Sequence, residues 1–125
     1  MRFMVSLITD GSYMGQATPE QRKEMGAEMM QRMGELREAG VLVDPGGALA
    51  PSAEATTLRY GADGSVVVTD GPFAESKEQM AGYMVLDCED LEEAVGWIRK
   101  LPFRGSSVEV RPIAEPGTGG EAKSS

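Results

Sequence analysis

The stretch MAGYMVL, residues Met80–Leu86, decides the fold because both alternating sets of its side chains are apolar. Side chains along a β-strand point alternately to the two faces of the sheet, so a strand of this composition is buried on both sides. The segment Arg2–Thr9, RFMVSLIT, is also apolar at nearly every position. We therefore predict that these two segments are the central strands of one sheet.

A first helix is predicted to begin next to Thr18. Threonine is a preferred N-cap, Pro19 suits the first helical position, and Gln21 completes the pattern of a capping box. Gly40 is a natural stop. Apolar residues recur at helical spacing between these signals and form a core-facing stripe: Met25, Met29, Met33 and Leu36.

A second helix is predicted to begin after Asp90, in the sequence DLEE of residues 90–93, which is another capping-box pattern. Acidic residues crowd its start and Arg99 and Lys100 lie near its end, which complements the helix dipole. Pro102 ends the element. One helical face is apolar: Leu91, Ala94, Val95 and Ile98.

Shorter segments complete the predicted fold. Thr56–Tyr60 and Val66–Thr69 flank a connection with two glycines, which is typical of a β-hairpin. Val41–Val43 begins an extended segment that turn residues interrupt, residues 108–111 form a last strand, and residues 10–16 are predicted to be a loop. This order predicts an α+β split βαβ sandwich with an inserted hairpin.

The two central strands also predict the oligomeric state. Two helices can cover only one face of such a sheet, whereas both predicted strands are apolar on both faces. The second face therefore needs a partner, and the most economical partner is another copy of the chain. We expect a homodimer.

Composition excludes several classes of partner. The chain of 125 residues fits one domain, and twelve Lys and Arg against twenty Asp and Glu give a net charge of -8. That charge has the wrong sign for binding the phosphate backbone of nucleic acid. The apolar runs are far shorter than the roughly twenty residues that a membrane-spanning helix needs. A cytoplasmic location is predicted, and the single cysteine, Cys88, agrees with a reducing compartment.

The sequence contains no histidine, which removes the commonest general base near neutral pH and the usual zinc ligand. It also lacks the glycine-rich fingerprints of nucleotide sites and the CxxC pattern of zinc sites. Negative neighbours disfavour a thiolate at Cys88. We expect neither a cofactor nor a metal ion, and any catalysis would fall to carboxylates, lysine, tyrosine or the backbone.

The strongest local signal is the turn DGPF, residues Asp70–Phe73, and the charged segment that follows it. Gly71 and Pro72 predict a rigid structural turn, which by itself needs no chemistry. The alternative places Asp70 and Glu75 in a cleft as acid and base, since neighbouring buried carboxylates can reach a useful pKa range. Ligand-binding candidates accompany them: Lys77, Arg59, Phe73 and Tyr83.

The run Thr69–Glu78, TDGPFAESKE, resembles the hallmark T-D-G-P-F-A-E-T-K-E of the YCII-related proteins of the DGPF type, with Ser76 in place of threonine. The resemblance extends through roughly Met1–Ile113 and includes LREAGVL at residues 36–42, ATTLR at 55–59 and VEVRP at 108–112. It implies a YCII-related domain at 1–113, followed by a disordered tail at 114–125. The implied architecture is a ferredoxin-like fold that forms a dimeric α/β barrel.

The resemblance implies no defined reaction. Some distant members pair a histidine with an aspartate, and that pair has no counterpart in a chain without histidine. Many members are encoded beside sigma factors of the extracytoplasmic-function type, which implies a bacterial regulatory setting.

Three hypotheses follow. The first is a homodimer that binds a small organic molecule in a cleft between helix and sheet, with Asp70, Glu75, Lys77 and Arg59 near its mouth. The second is a lyase, isomerase or hydrolase that uses carboxylates. The third is a non-catalytic regulatory protein whose partner is a sigma factor.

Overall fold

The chain adopts an α+β fold, as predicted. The computed structural model describes residues 1–115, so the predicted tail at 114–125 lies almost entirely outside the described residues, and the domain boundary at 113 stays a prediction. The elements in chain order are β1 (Arg2–Thr9), α1 (Ser12–Gln16), α2 (Pro19–Glu38), β2 (Leu42–Ala48), a 3₁₀ turn (Ser52–Glu54), β3 (Thr56–Tyr60), β4 (Val66–Asp70), β5 (Gln79–Asp87), α3 (Leu91–Ile98) and β6 (Ser107–Pro112).

The four-stranded sheet has the order β2-β5-β1-β6, and every neighbouring pair is antiparallel. The two strands predicted to be central, β1 and β5, are its inner pair. Each βαβ unit is split by a strand of the other, which agrees with the predicted ferredoxin-like arrangement. Strands β3 and β4 form the predicted hairpin as a separate two-stranded sheet.

The core lies on one face of the sheet. On that face Phe3 pairs with Leu86 and Val5 pairs with Met84, and all four side chains are buried. Both long helices pack against them: α2 contributes Met29, Met33 and Leu36, and α3 contributes Ala94, Trp97 and Ile98. The helices therefore cover one face, as the sequence predicted.

The opposite face of the sheet carries Met4, Ile8 and Val85, which strand alternation places away from the helices. None of these three side chains belongs to the core cluster. The sheet therefore has an apolar outer face that no helix covers within residues 1–115.

Both predicted helix starts are confirmed. Thr18 Oγ1 accepts a hydrogen bond from Gln21 N at 3.0 Å, and Gln21 Oε1 accepts one from Thr18 N at 2.8 Å. At α3, Asp90 Oδ1 accepts from Glu93 N at 2.8 Å. The predicted capping box is not complete. Its second hydrogen bond would run from Asp90 N to the Glu93 side chain, whereas Glu93 Oε1 accepts a hydrogen bond from Glu89 N.

Two segments differ from the sequence-based expectation. The predicted loop at 10–16 contains the short helix α1, which begins where Asp10 Oδ1 accepts hydrogen bonds from the backbone N and side-chain Oγ of Ser12. Strand β2 continues to Ala48, through the residues predicted to be turns, because two register shifts against β5 absorb the extra residues.

Gly46 makes the irregular strand β2 compatible with the sheet. Its φ of +61° lies in the left-handed region, and a Cβ at this position would overlap the carbonyl oxygen of Tyr83 on β5. Only glycine lets the two backbones approach this closely.

Among residues 1–115, no helix combines the length and the apolar composition that crossing a bilayer requires. The cytoplasmic location stays a prediction.

Candidate functional site

The DGPF turn begins at Asp70, the last residue of β4, and hydrogen bonds connect it to the beginning of β3. Gly71 has a φ of +115°, its N–H donates to the Ala55 carbonyl oxygen at 2.6 Å, and its own carbonyl accepts from Thr57 Oγ1 at 2.7 Å. These two hydrogen bonds, to Ala55 just before β3 and to Thr57 within it, therefore hold the turn in a fixed position relative to the hairpin.

Arg59 and Phe73, both predicted to bind a ligand, contact each other. Arg59 Nη2 donates to the Phe73 carbonyl oxygen at 2.5 Å, and the guanidinium lies 4.9 Å from the centroid of the Phe73 ring. The ring is 72% exposed, so the arginine covers only part of it. In the single chain this arginine supports the turn.

The charged residues around the turn line one broad depression of about 580 Å³. Asp70, Glu75 and Lys77 all contribute to it, as do Gly71 and Pro72, and the three charged side chains are exposed. The acid–base hypothesis needs buried carboxylates, and the single chain does not bury either one. The catalytic role of Asp70 and Glu75 stays a prediction.

Lys77 also faces the end of β1. Hydrogen bonds from Ser12 hold the pKa of the Asp10 carboxyl below its ordinary value, and the positive charge of Lys77 adds to this effect. Gln79 fixes the intervening segment by donating from Nε2 to the carbonyl oxygens of Ala74 at 2.7 Å and Ser76 at 2.9 Å. The Gln79 side chain therefore holds the segment between the DGPF turn and β5 in a defined position.

A second and more enclosed space lies between α2 and the sheet, where the first hypothesis placed a cleft. Its loop section, about 230 Å³, lies against α1 and residues 102–106, and its β2 section, about 250 Å³, lies against β2 and β5. Leu7, Met29 and Phe103 line both sections, so the two adjoin each other. Together they fall in the size range of sites for small organic molecules, about 300–1,000 Å³.

The walls of the cleft are mainly apolar and rich in methionine, including Met25 and Met29 on α2. Methionine side chains are flexible and polarizable, so such a wall adapts to ligands of different shape. The methionine stripe, which was predicted to face the core, is thus only partly buried in it. Met33, for example, packs against the core cluster and also lines the β2 section of the cleft.

The predicted ligand residues do not all meet at this cleft. Tyr83 lines its β2 section, whereas Asp70, Glu75 and Lys77 line the separate depression at the turn. Phe73 borders another shallow hollow beside Leu49 and Met80. The structure therefore separates the predicted set into two places.

Sequence reasoning missed the polar residues of the cleft, above all Arg22 and Arg104. For Arg22 a signal existed, since it lies three residues before Met25 and seven before Met29 and so shares their face of the helix. Arg104 lies in an irregular segment, where no periodicity could place it.

Cys88 is buried, with 4% of its surface exposed. Burial raises the pKa of its thiol to about 11, and the nearby carboxylate of Glu93 adds to the effect. Among the sequence neighbours predicted to disfavour the thiolate, Asp87 contributes, but burial and Glu93 contribute more. Among residues 1–115, no three carboxylate or cysteine side chains are grouped as metal ligands would be.

Two comparisons with known proteins bear on this arrangement. The family model described as the YCII-related domain matches residues 1–116. An uncharacterized protein of Rhizobium meliloti (strain 1021) is 48% identical over 81 residues, which are 62% of this chain and 63% of that relative's own length. The match supports the predicted family, while the DGPF type stays a prediction.

Proposed function

The chain belongs to the YCII-related domain family, and from that premise we propose that it works as a homodimer that binds a small, mainly apolar molecule in the cleft between α2 and the sheet. The observation that carries the proposal is the cleft itself, because its two adjoining sections form a concave, mainly apolar space of the kind in which small organic molecules bind. The family match adds no activity of its own.

The hairpin supports the dimer. Its register puts Leu58, Tyr60, Val66 and Val68 on one face, and each of these side chains is between 44% and 69% exposed. An isolated two-stranded hairpin is only marginally stable in water, and a contiguous apolar face of this kind marks a contact surface. A second copy of the chain would cover both this face of the hairpin and the uncovered outer face of the sheet, as in a dimeric α/β barrel.

Matched variants in β4 test the dimer. Val68 and Val67 are neighbours with nearly equal exposure, 62% and 61%, but they lie on opposite faces of the hairpin. In sedimentation velocity, the wild-type chain should exceed its monomer mass of 13.3 kDa at micromolar concentration. Val68→Lys should shift it to monomer and Val67→Lys should not. A wild-type monomer would refute the dimer.

A neutral fluorescent probe, N-phenyl-1-naphthylamine, tests the cleft. Met29 lines both sections, whereas its neighbour Met30 is 77% exposed and lines neither. We expect the probe to brighten with the wild-type chain and with Met30→Trp, and to lose this response with Met29→Trp, whose indole fills the space. An equal response from both variants would contradict a site in the cleft.

The depression at Asp70 and Glu75 is a weaker candidate. It is larger but more open, and its carboxylates are exposed. Catalysis there and contact with a sigma factor remain the predictions made from the sequence, and the geometry favours neither over the cleft.

A further inference from the structure

The loop section of the cleft carries two positive charges. Arg22, in the first turns of α2, and Arg104, just before β6, both line this section of about 230 Å³. The other residues around it are apolar or uncharged, including Met25, Met29 and Phe103. The section therefore combines an apolar body with a cationic margin.

Both guanidinium groups are held in place by backbone oxygens. Arg22 Nη1 donates to the carbonyl oxygens of Met14 at 3.2 Å and Ala17 at 2.8 Å, and Arg104 Nη1 donates to the Phe103 carbonyl at 3.0 Å. These bonds use one terminal nitrogen of each group. Nη2 and Nε are left to donate to a ligand, and guanidinium groups bind carboxylates with paired donors of this kind.

Within the described residues, 1–115, no carboxylate forms an ion pair with either arginine. The ion pairs found within residues 1–115 involve neither arginine, and no Asp or Glu lines the loop section. Asp10 is close in sequence to the lining residue Thr9, but its carboxylate accepts hydrogen bonds from Ser12. In a chain with a net charge of -8, two arginines that have no acidic partner among the described residues and that line one cleft indicate a place for an external anion.

We propose that the cleft binds a small organic carboxylate, with its apolar body between α2 and the sheet and its carboxylate at Arg22 and Arg104. This inference rests on the proposed function and adds the chemical class of the ligand. Both arginines are exposed at the margin of the cleft, so the apolar walls bury the body of the ligand while the guanidinium groups supply charge-assisted hydrogen bonds to its carboxylate.

The test compares pairs of ligands of nearly the same shape, one carrying a carboxylate and the other a neutral carboxamide. Titration calorimetry with 2-naphthoate and 2-naphthamide, and with the smaller pair benzoate and benzamide, measures binding to the full chain. We expect at least one acid to bind about ten times more tightly than its amide, since charge-assisted hydrogen bonds contribute at this level. Higher salt should weaken only the binding of the acid.

Substitutions assign the preference to the two arginines. Arg22→Gln and Arg104→Gln should each weaken binding of the acid about tenfold and leave the amide within about twofold. Arg22→Lys and Arg104→Lys should recover part of the loss. Arg99→Gln, at the exposed C-cap of α3, is the control and should change neither ligand. Because Arg22 also anchors the end of α1, Arg104→Gln provides an independent test.

The outcomes separate the two proposals. Equal binding of acid and amide, or equal losses for both ligands in the Arg→Gln variants, would overturn the carboxylate inference and leave the cleft as a binding site. If neither these ligands nor the naphthylamine probe binds, the proposed function fails and this inference fails with it.

Discussion

Arg59 and Phe73 are joined twice: the guanidinium lies 4.9 Å from the ring centroid, and Nη2 donates to the Phe73 carbonyl oxygen. The two residues are 14 positions apart, so the contact links strand β3 to the turn after β4. Arg59 therefore positions the DGPF turn from the opposite strand of the hairpin.

A double-mutant cycle measures the ring contact. Phe73→Ala removes the ring but keeps the carbonyl acceptor, while Arg59→Ala removes both contacts. We expect a coupling free energy of about 0.5 kcal/mol from chemical denaturation at fixed protein concentration, because the ring is largely exposed. A cycle between Phe73 and Arg99 should be additive. Additivity in both cycles would contradict the contact.

Gly46 and Gly47 offer a matched pair on β2. Gly46→Ala would force a Cβ into the Tyr83 carbonyl oxygen at a φ of +61°, whereas a Cβ at Gly47 meets no atom within 4 Å. Gly46→Ala should lower the free energy of unfolding by roughly 2–3 kcal/mol, and Gly47→Ala by less than about 0.5 kcal/mol. If thermal unfolding showed Gly46→Ala to lose as little as Gly47→Ala, strand β2 would tolerate a side chain at position 46, and the close approach to Tyr83 would be contradicted.

The cap of α2 should be worth a measurable part of the stability. Thr18→Ala removes the acceptor for Gln21 N and should cost about 1 kcal/mol. Thr18→Ser keeps the hydroxyl and should cost much less. Urea denaturation of the two variants compares them, and equal losses would assign the effect to the threonine methyl group.

Cys88 should be unreactive in the folded chain. Its pKa is raised to about 11 from an ordinary value of 9.0, chiefly by burial, so the thiolate is scarce near neutral pH. Iodoacetamide at pH 8 should modify the urea-unfolded chain at least tenfold faster than the native one. The thiol of the unfolded chain ionises at a lower pH than the buried thiol of the folded chain. The free energy of unfolding should therefore fall as the pH rises from 9.0 towards about 11.

Local chemistry predicted most of the elements. The cap at Thr18, the apolar strands β1 and β5 and the hairpin all follow from residues close to one another in the chain. The course of β2 could not be predicted in this way, because Gly46 is required by the carbonyl of Tyr83, 37 positions later, and that proximity exists only once the sheet is paired.

The site was less predictable than the fold. The sequence singled out the turn at Asp70 as the candidate site. The cleft, in contrast, forms only where Phe103 and Arg104 come to line one hollow together with residues of α2. A cleft between a helix and the sheet was predicted, but its cationic residues were not. Periodicity identifies which face of an element is apolar, and it does not tell which part of that face is left unfilled.

The position of β1 in the sheet bears on how the chain is made. Both neighbours of β1 are distant in sequence, since it pairs with β5 (Gln79–Asp87) and β6 (Ser107–Pro112). During translation, the first of these strands leaves the ribosome only after more than half of the chain has been synthesised. Until then the apolar segment Arg2–Thr9 has no partner strand, and nascent chains stalled before Gln79 should depend on chaperones.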